Sequence, residues 1–341
     1  MTMRRGIAAA GNWIIDHVKI VDKLPAEEHL ATISAQTDGT GGAPYNVLVG
    51  LRSLSPDIPL SAIGVVGRDR DGDSIMDHLH RLNIDTTLMR LSEDSPTSYT
   101  DVMTVAVTGR RTFFHHLGAN AELSPDDFRL EAIPSAILHL GYLTLLPNLD
   151  AMPPGEPAMT YAAKVFATAR AAGITTSLDV VTDLSPRLTE ILRATLPETD
   201  YFIANELETG CVAGISARND AGQIQPLQLE VIADAILALG VRNSVVIHAP
   251  ECGFWKSRNG EAHLQPSLQV PADFIQGTAG AGDAFCAGIL YGIHESWSAE
   301  KSLLIAVANA AQSLNDPTTT GGLKSLHETL SLIEAFGFRD I

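Results

Sequence analysis

Cysteine is scarce in this chain: Cys211, Cys252 and Cys286 are the only three among 341 residues. The number is odd and no pair has the spacing of a zinc-binding motif. A disulfide framework is therefore excluded, and reduced thiols in a cytoplasmic protein are expected. No run of about 18 apolar residues occurs, so no membrane-spanning helix is expected. The stretch Met1–Ala10 carries Arg4 and Arg5, but its apolar run breaks at Gly11-Asn12 and again at Asp16. It is too short and too polar for a secretion signal. Positive charge is in short supply, with 23 Lys and Arg against 40 Asp and Glu and a formal net charge of −17. That balance argues against nucleic-acid partners and against an anionic membrane. An anionic ligand must then be met by local positive potential or by a divalent cation. No GxxxxGK[ST] segment exists, which excludes a P-loop. Neither HRD nor DFG exists, which excludes a protein-kinase site.

What is present suits a globular chain with a real core: 45% hydrophobic and 18% charged residues. From Ile137 onward, strand-like and helix-like segments alternate. Ile137–Leu145, Ile174–Val181, Asp200–Ala204 and Ser244–Ile247 read as strands. Tyr161–Ala172, Leu188–Leu196 and Leu229–Leu239 read as helices between them. Such alternation predicts an α/β fold with a parallel sheet covered on both faces. Ile7–Gly11 and Leu60–Gly67 read as further strands. Two alternating, half-polar stretches, about 13–38 and about 97–117, interrupt this rhythm and predict a small β-sheet lid within one domain spanning 1–341. His115 and His116 are adjacent on a strand and so point to opposite faces; a shared metal is not expected.

The most informative stretch is Gly277-Thr278-Ala279-Gly280-Ala281-Gly282-Asp283, running straight into an apolar helix. Glycines there uncover backbone N–H groups at a helix N-terminus, where donors are unpaired and the dipole attracts an anion. An aspartate at that mouth repels a phosphate. It makes sense where a carboxylate takes a proton from a hydroxyl that then attacks the phosphate, although helix capping alone is the simpler alternative.

Three motifs stand in order along the chain: Gly41-Gly42 with Asn46, then Asn205-Glu206-Leu207-Glu208, then Gly280-Ala281-Gly282-Asp283. Together with Ile63–Gly67 and Gly118-Ala119-Asn120, this set resembles the ribokinase-like (PfkB) carbohydrate kinase family across essentially the whole chain. The resemblance implies a Rossmann-like three-layer α/β/α fold with a small β-sheet lid. It implies transfer of the ATP γ-phosphoryl group to a sugar hydroxyl with Mg²⁺. By position, Asp283 would be the catalytic base, and the amides of Gly280, Ala281 and Gly282 the anion hole. Asn12, Asp16, Gly41, Gly42 and Asn46 would bind the sugar. Asn205 and Glu208 would act on Mg²⁺ and its waters, and Asn309 would line the adenine pocket. Asn at a helix start with Glu three residues on is also a capping pair.

The chain departs from the family pattern in places. Gly277-Thr278 stands where an aspartate often precedes threonine, so K⁺ activation is not expected. His248-Ala249-Pro250-Glu251-Cys252-Gly253 replaces a glycine-containing nucleotide loop, and Glu251 adds negative charge there. The scarcity of Lys and Arg near the sugar residues argues for an unphosphorylated sugar or polyol. A nucleoside kinase of the same fold is the alternative, with Trp13, Tyr45, Phe113 or Phe114 available to stack on a base. A non-catalytic sugar- or nucleotide-binding regulator is a second alternative. Exposed lid edges allow a homodimer.

Overall fold

The computed structural model describes residues 4–156, 158–183 and 185–341. The strands are β1 (Ile7–Gly11), β2 (Ile14–Val21), β3 (Ile33–Gly41), β4 (Leu60–Gly67), β5 (Asp85–Ser92), β6 (Tyr99–Val105) and β7 (Arg111–His116). They continue as β8 (Ile137–Leu143), β9 (Thr175–Val180), β10 (Tyr201–Asn205), β11 (Ser244–His248), β12 (Cys252–Ser257) and β13 (Ala262–Pro266). Nine form one sheet in the order β13-β12-β11-β10-β9-β8-β1-β4-β5. Pairing is parallel from β11 to β5 and antiparallel at β12 and β13. The sheet is thus mixed: the hairpin closing on Asn259-Gly260 supplies the antiparallel edge.

Strand β1 shows why the sheet is covered on both sides. Its residues alternate between two cores, Ile7 and Ala9 in one, Ala8 and Ala10 in the other, as a period of two requires. One face carries helices Ala43–Leu54, Ala281–His294 and Ala299–Ser313; the other carries Tyr161–Ala171, Pro186–Thr195 and Pro226–Ala238. Helix Ala281–His294 is buried along most of its length. Small residues make that possible: a Cβ on Gly288 would lie 2.5 Å from Ala306 Cα. Each buried Leu or Ile in this layer contributes about 1.5–3 kcal/mol relative to exposure.

The four remaining strands form a separate sheet, β3-β2-β6-β7. It is built from the two half-polar stretches that break the βα rhythm. Tyr99 pairs with His116 and Thr100 with His115, so the two histidines do occupy opposite faces. Trp13, at the root of this lid, is fully buried and donates from Nε1 to Ile63 O at 2.9 Å. Gly64 is required beside it, since a Cβ there would lie 2.1 Å from that nitrogen. Asn120 fixes the same corner through paired hydrogen bonds to the Trp13 backbone, at 3.1 and 2.9 Å.

Candidate active site

In an open parallel sheet, ligands gather at the carboxyl ends of the strands. Asn12 follows β1 there, Asn205 ends β10 and His248 ends β11. Two glycines bring the lid root against Asn12 and Asp16. A Cβ on Gly42 (φ +90°) would lie 1.9 Å from Asn12 O, and one on Gly41 would lie 2.5 Å from Asp16 Oδ2. Gly42 also caps helix Ala43–Leu54, whose first turns carry Asn46.

Asn46 Nδ2 donates to Asp283 Oδ2 at 2.7 Å. Tyr142 Oη lies 3.3 Å from each Asp283 oxygen. Residues 237 positions apart in the chain are thereby joined, and the charge of Asp16 is also felt at Asp283. Burial, then the nearby Asp179 charge, pushes the Asp283 carboxyl up to about 8; the bonds from Asn46 and Tyr142 oppose the rise. Asp16 is likewise pushed up to about 6 by burial, with His17 and Arg111 opposing. Tyr142 and Thr144 take left-handed φ of 59° and 90°, a strain that buried contacts must hold in place.

Asp283 lies in the first turn of its helix, and Gly280 (φ +80°) is the N-cap. Ala284 N bonds back to Gly280 O at 2.8 Å, so the amides ahead of it have no partner within the helix. Gly280 could not be another residue cheaply: a Cβ there would lie 2.4 Å from Thr319 O. The threonine-rich segment after helix Ala299–Ser313 thus packs on the glycine turn. Thr319 Oγ also reaches Thr40 O of the lid at 3.4 Å.

A polar cleft of about 160 Å³ opens beside this turn, lined by Tyr142, Asp179, Asn205, Glu208, His248 and Asp283 among others. Asn205 and Glu208 form the reciprocal capping pair: Asn205 Oδ1 accepts from Leu207 N and Glu208 N, both at 2.9 Å, and Glu208 Oε2 accepts from Asn205 N at 3.0 Å. Thr182 Oγ donates to Glu208 Oε1 at 2.7 Å. The capping alternative is therefore realised in a residue pair that also lines the cleft. Burial pushes Glu208 up to about 7. His248 is pushed down to about 4 by burial, opposed by Asp179.

A second, mostly apolar pocket of about 450 Å³ adjoins the first and shares Asn205, His248 and Gly282 with it. Pro250, Leu268, Val270, Ile275, Val307 and Leu314 form its walls. Glu251 is not among its lining residues: its carboxylate is held by Arg218 at 2.8 and 2.9 Å, and the same guanidinium pairs with Glu206 at 2.6 Å. Arg218 thus holds the Glu251 carboxylate away from the pocket, and Glu206, which does line it, shares the same cation.

Asn309 is not brought to this pocket. It is fully buried and donates to Ala284 O at 2.7 Å, in the contact between two helices. Its position on the helix turns it inward, while Ala310 and Ala311 line the pocket. Of the stacking residues proposed for a nucleoside, Phe113 and Phe114 stay exposed on β7, whereas the other two are covered. Trp13 is sealed beneath the lid, and Tyr45 is buried against His78 at a ring distance of 6.4 Å. Reading the sequence missed Tyr142, Asp179 and Thr182, and placed His248 only within the altered nucleotide segment, with no role of its own. All four lie at or just beyond strand ends, which was the one signal available for them.

A profile described as "pfkB family carbohydrate kinase" matches residues 4–325. The chain belongs to the pfkB family of carbohydrate kinases. Among curated relatives of this pfkB protein, Probable fructokinase-7 of Arabidopsis thaliana is 27% identical over 290 residues, covering 83% of this chain and 77% of the relative. The ATP-dependent ribose-1-phosphate kinase of Halopiger xanaduensis is 26% identical over 286 residues, 83% of each chain. Among solved structures, Arabidopsis thaliana ribokinase complexed with ribose and ATP superposes with a TM-score of 0.79 at 20% identity, covering 97% of this chain and 99% of that one. The likeness extends the family assignment to the fold: a ribokinase-like α/β/α domain with its β lid.

Proposed function

We propose that this kinase transfers the γ-phosphoryl group of ATP to a hydroxyl of an unphosphorylated sugar or related polyol. The observation that carries the reading is the pairing of Asp283 with Asn46, set among buried polar atoms without partners. Both amide atoms of Asn12, and Oδ1 of Asn46, are buried and have no hydrogen-bond partner among the described residues. Buried amides are rarely left so, and a ligand rich in hydroxyls supplies both donors and acceptors.

In this reading Asp283 takes the hydroxyl proton, the sugar oxygen bonds to the γ-phosphorus, and the bridging bond to ADP breaks. The amides of Gly280, Ala281 and Gly282 receive the charge on the transferring group. Catalysis here is alignment and charge stabilisation more than covalent chemistry. Asn12, Asp16, Gly41, Gly42 and Asn46 hold the sugar. The apolar pocket takes the base of ATP, with Pro250 as a wall rather than a donor. Its size lies within the usual range for small-ligand sites.

The polar cleft bears the carboxylates of Asp179, Glu208 and Asp283, and no Lys or Arg among its lining residues. Such an all-oxygen, acidic set fits a hydrated Mg²⁺ that arrives with phosphates. Glu208 and Asn205 would hold its waters; the ion would supply charge neutralisation between the nucleotide and this acidic wall. Two buried acids on the sugar side, Asp16 and Asp283, disfavour a substrate that already bears a phosphate near them.

The test is a phosphorylation screen over pentoses, hexoses, polyols, nucleosides and sugar phosphates, with ATP and GTP. A free sugar or polyol as the best acceptor supports the proposal. Preference for a nucleoside or a sugar phosphate, or no transfer at all, would replace it.

A further inference from the structure

Directly below the proposed base, three residues from distant parts of the chain meet: His139 on β8, Asp179 on β9 and Cys286 on helix Ala281–His294. All three are buried, and their nearest donor atoms lie within 4.8 Å of one another. His139 Nε2 is 3.5 Å from Asp179 Oδ2 and 3.8 Å from Cys286 Sγ. The first distance is too long for a good N–H···O bond. Both distances suit two atoms sharing one tetrahedral ion. With Zn–N and Zn–O near 2.1 Å and Zn–S near 2.3 Å, neighbouring ligands stand about 3.4 Å (N, O) and about 3.6 Å (N, S) apart.

We infer that this cluster is a binding site for a borderline-soft divalent cation of the Zn²⁺ type, held by His139 Nε2, Asp179 Oδ2 and Cys286 Sγ. The surroundings are those of a supported metal site. Ser177 Oγ lies 3.1 Å from His139 Nδ1, and a donation from that nitrogen leaves the Nε2 lone pair for the ion. Tyr142 N donates to Asp179 Oδ1 at 2.8 Å, which orients Oδ2 toward the cluster. Partners of this kind fix ligand orientation behind the metal. Asp179 and Cys286 both line the polar cleft, so the fourth position opens to water or to an oxygen of a cleft ligand. Three protein ligands and one open position is the pattern of zinc sites that keep a water or ligand position, as opposed to closed structural ones. The S, N, O set differs in kind from the carboxylates of Glu208 and Asp283 that suit Mg²⁺, and Asp179 stands between the two. On binding, the Cys286 thiol proton leaves to water and a metal–thiolate bond forms.

The experiment is metal retention by the full chain, which needs no turnover and is therefore independent of the kinase proposal. Protein stripped with chelator is loaded with Zn²⁺ or Co²⁺, desalted and assayed for metal. Wild type is expected to retain one ion per chain, and the Co²⁺ form to show a thiolate charge-transfer band. Cys286→Ser should lose the band and bind more weakly by at least about 100-fold, more than loss of an outer partner brings. Because His139 is fully buried, Cys286→Ala serves as the second variant, with circular dichroism confirming that it folds. A folded wild type that retains no ion, or variants that retain it equally well, would overturn the assignment.

Discussion

Asp283→Asn separates chemistry from architecture at a single atom pair. The side chain keeps its shape, and the amide oxygen of the variant can still accept from Asn46 Nδ2, now 2.7 Å from Asp283 Oδ2. What disappears is the ability to take a proton. A positioned base is worth about 10²–10⁴-fold, which is about 2.7–5.5 kcal/mol of barrier at 1.36 kcal/mol per decade. Turnover, followed by ADP release, should fall by that factor while sugar binding measured by calorimetry changes little. Stability should move the other way. The native carboxyl sits at about 8 against an ordinary 3.8, chiefly through burial. Between those values the unfolded chain has released a proton that the native state still holds, so unfolding becomes easier as pH rises. The asparagine variant lacks this liability. Its melting temperature should exceed that of wild type, by a margin that grows from about pH 4 to about pH 8. Turnover within tenfold of wild type would refute Asp283 as the base; a variant that melts lower at pH 8 would refute the account of its burial.

Other outcomes follow from the same geometry. Since the base form of Asp283 is the minor one at neutral pH in the free protein, kcat/KM for the sugar should rise with pH through about 8 and then level; a flat profile across that value would contradict it. Gly280→Ala places a Cβ 2.4 Å from Thr319 O at φ +80°, costing about 1–2 kcal/mol in backbone strain alone. It should also displace the anion-hole amides, lowering kcat by on the order of 10²-fold. Gly282→Ala, 3.1 Å from His248 Cε1 at a helical position, should be the milder of the two in the same assay. Arg218→Ala leaves Glu206 and Glu251 facing each other unpaired. With Glu251 about a third exposed, solvent screens part of the loss, and about 2–3 kcal/mol is expected, read as a drop of about 3–4 °C in thermal melting.

Much of the fold was legible because its signals are local. Gly42 and Gly280 mark helix starts with positive φ, and Asn259-Gly260 marks the β12–β13 hairpin. The βα rhythm from Ile137 onward places every strand of that half within a few residues. Strand β5 passed unnoticed because its apolar residues, Leu88, Met89 and Leu91, do not alternate cleanly and it lies at the sheet edge. The site was legible only where a motif is contiguous. Asn46 and Asp283 each announce themselves beside glycines, but their hydrogen bond is a product of helix packing. Tyr142 and Asp179 carry no local mark, since their roles come from parallel strands ending at one level. Asn309 shows the converse. Its helix, Ala299–Ser313, packs on the helix of Asp283 and lines the apolar pocket, but whether residue 309 faces that pocket or the neighbouring helix depends on a rotation of about 100° per residue. The nucleotide-loop segment illustrates a third limit: Glu251 reads as an obstacle until Arg218, far away in sequence, is seen to hold it.

The bond from Thr319 to Thr40 ties together two parts of the molecule that each substrate would visit separately. Thr319 touches strand β3 through its side chain and the Gly280 turn through its backbone. The same residue braces the turn that would cradle the phosphates. In the proposed reaction the sugar side and the phosphate side would thus share one point of contact, at Thr319.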